Sequence, residues 1–284
     1  MSRIRIGVID FVNARPLARG LEQEGRADVE LVHGRPGVLA DRLRFGELDA
    51  ALIPAVEFFR GVGAAVVPGS CIGSRGPVAS IRFLARRPLP EIDRVLVDRG
   101  SRTSVAMLRL LLERAHRLSP DFHIYRPDPS RPFLGPDGEE ADAALVIGDL
   151  ALEIRPDPVW TVIDLGDWWE GTFHRPFVYA VWAARDEELA MELAEAVRES
   201  HRAGERDLPL ICEEVAARKG WPELLVHEYF TRNLDYRLDD DAVAGLRLFH
   251  RLCVESYLAP RRASVNRALE ALAAGAHALG HAPL

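Results

Sequence analysis

The chain holds only three cysteines in 284 residues, Cys71, Cys212 and Cys253, odd in number and far apart. That scarcity excludes a disulfide framework and matches no zinc spacing; it suits a reducing cytoplasm. No apolar stretch approaches the ~20 residues that a bilayer-spanning helix needs. No Gly-x-Gly-x-x-Gly follows a strand-like run, and the P-loop and the Gly-x-Ser-x-Gly elbow are missing. No helix-like segment carries two histidines at ligand spacing. Neither a metal nor a nucleotide cofactor is therefore expected. Positive charge is in the minority: 36 basic against 43 acidic residues give a formal charge of −7. This argues against a nucleic-acid or anionic-membrane surface and leaves room for a local positive pocket. The start, Met1-Ser2-Arg3-Ile4-Arg5, runs straight into a strand-like segment without an export signal, so a cytoplasmic protein is expected.

Hydrophobic residues make up 48% of the chain, the globular range, and the length suffices for two ordinary α/β domains. The first third alternates between short apolar runs and helix-like segments. Ile4 to Ile9, Val29 to Val32 and Ala50 to Ile53 read as strands. Pro16 to Leu21 and Gly37 to Phe45 read as helices, the second stopped by Gly46. Strands separated by helices of this length predict a parallel sheet with right-handed crossovers. A second alternation follows: a strand at Val95 to Val97, a helix face of Val105, Leu108, Leu111, Leu112 and Ala115, and a strand at Ala143 to Ile147. Asp49 before the first lobe's third strand is echoed by Asp142 before Ala143. After a strand at Phe177 to Ala184 the chain is almost wholly helical, and covering the first lobe is the simplest place for those helices. The expected architecture is α/β with two lobes and a ligand cleft between them. Residues 1–87 and 185–284 form lobe one and 88–184 form lobe two, with crossings near Arg86-Arg87-Pro88 and Ala184-Arg185. Arg126 to Asp142 reads as an exposed loop.

Open α/β sheets bind ligands at the carboxyl ends of their strands. Several polar clusters should fall there: Asn13 and Arg15 after the first strand, Cys71 to Ser80 before the first crossing, Asp98 to Ser104 between a strand and a helix, and Ile147-Gly148-Asp149 at another strand end. The Ser101 to Ser104 cluster offers three hydroxyls, an arginine and the free N–H groups of a helix amino end, which suits an anion. Ordinary capping needs one hydroxyl and would account for Ser104. Taken alone, Asn13 reads as a turn or cap residue, Arg15 and Arg75 as solvated charges, and Asp149 as a cap for Leu150 to Glu153. Trp168, Trp169, Phe173, Phe177, Tyr179 and Trp182 could stack on a cyclic ligand, but hinge or core packing is the stronger reading.

Five segments, in order and spread over the chain, resemble the menaquinone-biosynthesis family of the futalosine route, and within it the chorismate dehydratases. They are Val12-Asn13-Ala14-Arg15-Pro16-Leu17, Gly76-Pro77-Val78-Ala79-Ser80, Ser101-Arg102-Thr103-Ser104-Val105-Ala106, Leu145-Val146-Ile147-Gly148-Asp149-Leu150-Ala151 and Pro176-Phe177-Val178-Tyr179-Ala180-Val181-Trp182. Where that family has Thr-Gly-Leu-Pro-Phe before its return strand, this chain has Thr172-Phe173-His174-Arg175-Pro176-Phe177, one residue longer and without the glycine. The related dihydroxynaphthoate synthases open with a Ser-Pro-Cys-Pro-Asn-Asp-like stretch that this chain lacks. A small-anion carrier would usually have an export signal, and a regulatory effector domain a DNA-binding helix pair ahead of the lobes.

The resemblance implies a type 2 periplasmic-binding-protein-like fold and loss of water from chorismate, giving 3-[(1-carboxyvinyl)oxy]benzoate. It implies a small-molecule partner and no cofactor. On this reading Ser101, Arg102, Thr103 and Ser104 hold one substrate carboxylate, while Ser80 with the backbone of Val78, Ala79 and Gly148 positions the ring. Asn13, with Arg15 nearby, bonds the departing hydroxyl or the enolpyruvyl group. The base is the substrate's own enolpyruvyl carboxylate, with Asp149 as the alternative from the protein.

Overall fold

The structure is a computed structural model describing residues 3–23 and 28–279, with residues 275–279 described by backbone alone. Met1 and Ser2, on which the expectation about an export signal rests, and residues 280–284 of the range assigned to lobe one lie outside the described residues.

Two sheets carry the architecture. The first contains β1 (Ile4–Ile9), β2 (Val29–Gly34), β3 (Ala50–Pro54) and β4 (Ala65–Ser74). The second is built from β5 (Ile81–Ala85), β6 (Arg94–Asp98), β7 (Asp121–Tyr125), β8 (Ala143–Ile147) and β9 (Thr161–Asp164). The chain then returns to the first sheet with β10 (Phe177–Ala184) and the short β11 (Asp235–Arg237). The strand orders are β11-β4-β10-β3-β1-β2 and β7-β6-β8-β5-β9.

The parallel expectation holds for β1, β2 and β3 in one sheet and for β6, β7 and β8 in the other. It fails for the strands that connect the lobes. β10 runs antiparallel to both β3 and β4, and β5 runs antiparallel to both β8 and β9. A strand arriving directly from the other lobe enters its sheet from the cleft end, so it runs against strands that finish there. The same pairing moves the crossings. β5 already belongs to the second sheet and β10 to the first, so the chain crosses after Ser74 and returns before Phe177. The expected boundaries at 87/88 and 184/185 are both too late. An apolar run reports that a strand is buried, not which sheet buries it.

Burial follows strand position. The central β3 and β10 are buried at every residue, as sheets covered on both faces require, whereas the edge strand β7 is mostly open. In the second sheet the period of two separates two cores. Phe83, Val95 and Leu145 join the large core shared with the first lobe; Leu84, Leu96 and Val146 form a smaller one with Tyr125 and Phe133. The echoed acidic residues do the same job in both lobes. Asp49 accepts the backbone N–H of Arg5 as β1 begins, and Asp142 accepts those of Asp93 and Arg94 as β6 begins.

The helices are α1 (Arg15–Gln23), α2 (Pro36–Arg44), α3 (Ala55–Phe59), α4 (Thr103–His116), α5 (Asp149–Glu153), α6 (Leu165–Phe173), α7 (Glu187–Arg206), α8 (Leu208–Lys219), α9 (Glu223–Glu228), α10 (Asp240–Glu255) and α11 (Ala263–Leu279). The late helices cover the first lobe: α7 packs on α1 and β4, α10 on β10, and α11 on β4. Gly204 of α7 lies against Pro16 so closely that a Cβ would overlap its carbonyl oxygen. Trp169, Phe177 and Trp182 of the aromatic group are fully buried core, whereas Trp168 and Phe173 are only partly buried against it. Trp169 meets Phe173, Phe177 and Phe249 with ring centroids 4.3, 4.7 and 5.8 Å away.

Candidate active site

A small cavity, partly open to solvent, lies between the sheets. Lobe one contributes Phe11, Asn13, Pro54 and Tyr179; lobe two contributes Ser80, the Ser101 to Ser104 turn, Ile147 and Gly148. It sits beyond the ends of β1, β3, β6 and β8, where open α/β sheets place their ligands.

Asn13 reaches the cavity through local geometry. Asp10 N–H extends the ladder to Gly34 O at 3.1 Å, and a single tight turn, Val12–Ala14, follows, closed by Ala14 N–H to Phe11 O at 3.1 Å. Pro16 then sits in the first turn of α1, where its missing N–H costs nothing. Tyr236 donates to the Asn13 carbonyl at 2.9 Å, which holds the turn against β11. The Asn13 side-chain oxygen is buried and has no hydrogen-bond partner.

The opposite wall is the amino end of α4. Asp98 folds the preceding loop by accepting Gly100 N–H on its side chain at 2.7 Å and Ser101 N–H on its carbonyl at 2.9 Å. No side chain caps α4, whose N-cap position is Arg102. Ser104 therefore does not act as the cap that its sequence reading allows. Ser101, Thr103 and Ser104 are all buried, and the Ser101 hydroxyl has no partner. The Thr103 hydroxyl accepts Val56 N–H at 3.4 Å, from the other lobe. An unpaired buried hydroxyl ordinarily costs about 1–3 kcal/mol. The two residues that carry these orphans, Asn13 and Ser101, line one cavity from opposite lobes.

The remaining candidates divide. Ser80 lines the cavity, and Gly148 lies beside it with its N–H donated to Ser80 O at 2.8 Å. Val78 and Ala79 do not line it; their N–H groups are taken by Asp164, at 2.9 and 2.6 Å. Arg15 is turned away and shared between Glu22 and Glu214, at 3.4 Å each. Arg102 borders the cavity, but its guanidinium grips Asp41 at 2.9 and 2.7 Å and reaches the buried Glu57 at 3.3 Å, both in lobe one. Those bonds raise its pKa further. Asp149 does not line the cavity either. One of its oxygens accepts Val12 N–H at 3.1 Å and the other pairs with Lys219 at 2.6 Å.

Two tyrosines bear on this site: Tyr179, one of the aromatic group, is part of its lining, and Tyr229 adjoins the lining residues Ser80 and Asn13. Tyr179 lines the cavity and shares a 2.9 Å hydrogen bond with Ser74. Tyr229 opens a π-helical turn, Tyr229–Asn233, after α9. Burial pushes both phenols above their ordinary value; for Tyr229 hydrogen bonding to Ser80 and Asn13 offsets part of the rise. A π-turn is a frequent mark of functional sites, but it cannot be read from a helical apolar pattern. Among the described residues no group of three or more His, Cys, Asp or Glu could hold a metal ion.

Two mixed sheets with a ligand cleft between them define a periplasmic-binding-protein-like fold, and solved structures bear this out. Protein AF1704 from Archaeoglobus fulgidus matches with a TM-score of 0.68 at 18% identity, over 90% of this chain and 98% of its own. The alkanesulfonate-binding protein SsuA from Xanthomonas axonopodis pv. citri, bound to MOPS, matches with 0.67 at 18%, over 94% and 98%. The chain belongs to the menaquinone biosynthesis family, whose model it matches over residues 4–255. Chorismate dehydratase from Thermus thermophilus is 29% identical over 262 residues, covering 86% of this chain and 93% of that protein.

Proposed function

We propose that the chain is a chorismate dehydratase acting in the cytoplasm on the futalosine route to menaquinone. The observation that carries this reading is a pair of residues, Asn13 and Ser101, that line one interlobe cavity from opposite lobes and each hold a buried polar atom without a partner. Family membership and the Thermus thermophilus relative support the choice of substrate.

Chorismate is a dicarboxylate, and the cavity suits one. The uncapped start of α4 presents N–H groups and the positive end of a helix dipole, beside Ser101, Thr103 and Ser104, to one carboxylate. Ser80 and Asn13 flank the ring. In the reaction a proton leaves the carbon bearing the enolpyruvyl ether, the C–H electrons enter the ring, and hydroxide leaves the neighbouring carbon. Proton and hydroxide together make the water released. Aromatisation supplies the driving force, so orientation and placed donors are what the protein adds. An asparagine amide offers an acceptor and two donors. Asn13 can thus accept from the substrate hydroxyl before departure and donate to hydroxide afterwards.

The described residues lining the cavity include no carboxylate and no imidazole. Asp149, the base considered from the sequence, has both oxygens engaged elsewhere. The enolpyruvyl carboxylate of the substrate is then the base within reach of the proton. Incubation with chorismate, followed by chromatography and absorbance for the aromatic product, tests the assignment. Product formation above an enzyme-free control is expected. Tight binding of chorismate without product would make the protein a carrier and overturn it.

A further inference from the structure

Lys219 is the only lysine in the sequence. It ends α8, in the part of the chain that covers lobe one, and its ammonium lies 2.6 Å from Asp149 of lobe two and 3.6 Å from Glu153. The face of Trp221 is 5.4 Å from the same nitrogen. Asp149 uses its other oxygen for the backbone N–H of Val12, at 3.1 Å, across 137 residues of sequence. Each partner adjoins the cavity by one residue. Val12 lies between Phe11 and Asn13, and Asp149 follows Gly148; Phe11, Asn13 and Gly148 all line it. The ion pair is shielded, with side-chain exposures of 25% for Lys219 and 18% for Asp149.

From this chain of contacts we infer that Lys219 is a positioning residue: it holds Asp149 against the Val12 amide and so fixes Asn13 relative to the serines of the opposite lobe. A carboxylate with one backbone donor is a weak tether, because water competes for its free oxygen. An ammonium on that oxygen makes a charge-assisted bond, shorter and stronger than a neutral one. The tether spans both lobes, so it exists only when they are together, and closure and Asn13 placement become one event. A displacement of about 1 Å at a reacting centre can cost ~100-fold in rate, which makes such a tether consequential.

The inference rests on the dehydratase reading only for its kinetic arm. Lys219→Met should lower kcat/KM for chorismate about tenfold, a usual size for coupling between sites, with an unchanged melting temperature. Lys219→Arg should recover most of the loss. The loss in the double variant with Asp149→Asn should be no larger than in either single one. Wild-type kinetics in Lys219→Met, or single losses that add in full, would overturn the inference. A second arm needs no substrate. Acylation of the single lysine by an amine-reactive ester, followed by peptide mass spectrometry, should run several-fold faster in Asp149→Asn than in wild type. Equal rates would sink the tether whatever the substrate is. Faster acylation in a protein that leaves chorismate untouched would keep the tether and reject the substrate.

Discussion

Phe11 of lobe one and Gly148 of lobe two meet across the cleft so closely that a Cβ on Gly148 would lie 3.2 Å from two carbons of the Phe11 ring. Gly148 also adopts φ 65 and ψ −147, a conformation almost confined to glycine. Both constraints sit one residue from Asp149, the hub of the interlobe contact. Gly148→Ala should therefore destabilise the fold by about 1–3 kcal/mol and depress turnover. The control is Gly46→Ala, where φ is +72 but nothing lies within 4 Å: it should cost only about 1–2 kcal/mol and leave kinetics alone. Thermal melts and steady-state rates of the two variants make the comparison.

Asn13→Ala removes a buried oxygen that no protein group satisfies. Folding should lose only about 1 kcal/mol, since the unpaired oxygen takes its desolvation penalty with it and offsets the lost amide contact with Tyr229. Turnover should fall on the order of 100-fold, the usual effect of losing one donor placed at a developing charge. Normal kcat in this variant would end the proposed role.

Ser101→Ala tests the other orphan. A hydrogen bond to a charged group contributes about 1.5–3 kcal/mol, or roughly 10- to 150-fold in affinity. KM for chorismate should rise by an amount in that range while the melting temperature holds or increases. A fall in stability with unchanged KM would make Ser101 a structural residue.

Asp149→Asn separates a tether from a base. Loss of a general base ordinarily costs about 100- to 10,000-fold, whereas loss of the Lys219 contact should cost about tenfold. Single-turnover rates with saturating chorismate give the answer.

Burial holds the imidazoles of His201 and His250 below their usual pKa of 6.5. His201 faces Glu205 and Tyr236, and His250 packs on Phe59 with ring centroids 4.9 Å apart. The unfolded chain then binds more protons than the native one just below that value. Stability should fall as pH is lowered from about 7 towards 5, and rise again with pH. His250→Leu should flatten part of that slope in melts recorded across the range.

Much of this was legible in the residues. β1, β8 and β10 fall where their apolar runs predict, because a central strand must be apolar on both faces whatever its neighbours are. The cavity-lining turn at Ser101 to Ser104 was legible as well, since a strand-to-helix junction crowded with hydroxyls is a local feature. The strands β5 and β9 of the second sheet were not. β5 and β9 are short, and Arg82 and Asp164, at one end of their pairing, carry charges that break the apolar signal.

By itself the sequence determined the two alternations of strand and helix, the echoed acidic residues ahead of β3 and β8, and the segments that mark the family. Only the tertiary structure decided where the chain changes lobes and what each charge does. Arg15, Arg102 and Asp149 look alike on paper as polar residues near strand ends, yet each is taken up by a partner far away. Arg102 finds Asp41 across 61 residues and Asp149 finds Val12 across 137. The physical reason is range: burial is written into local periodicity, whereas an ion pair exists only once two distant segments have been brought within a few ångströms.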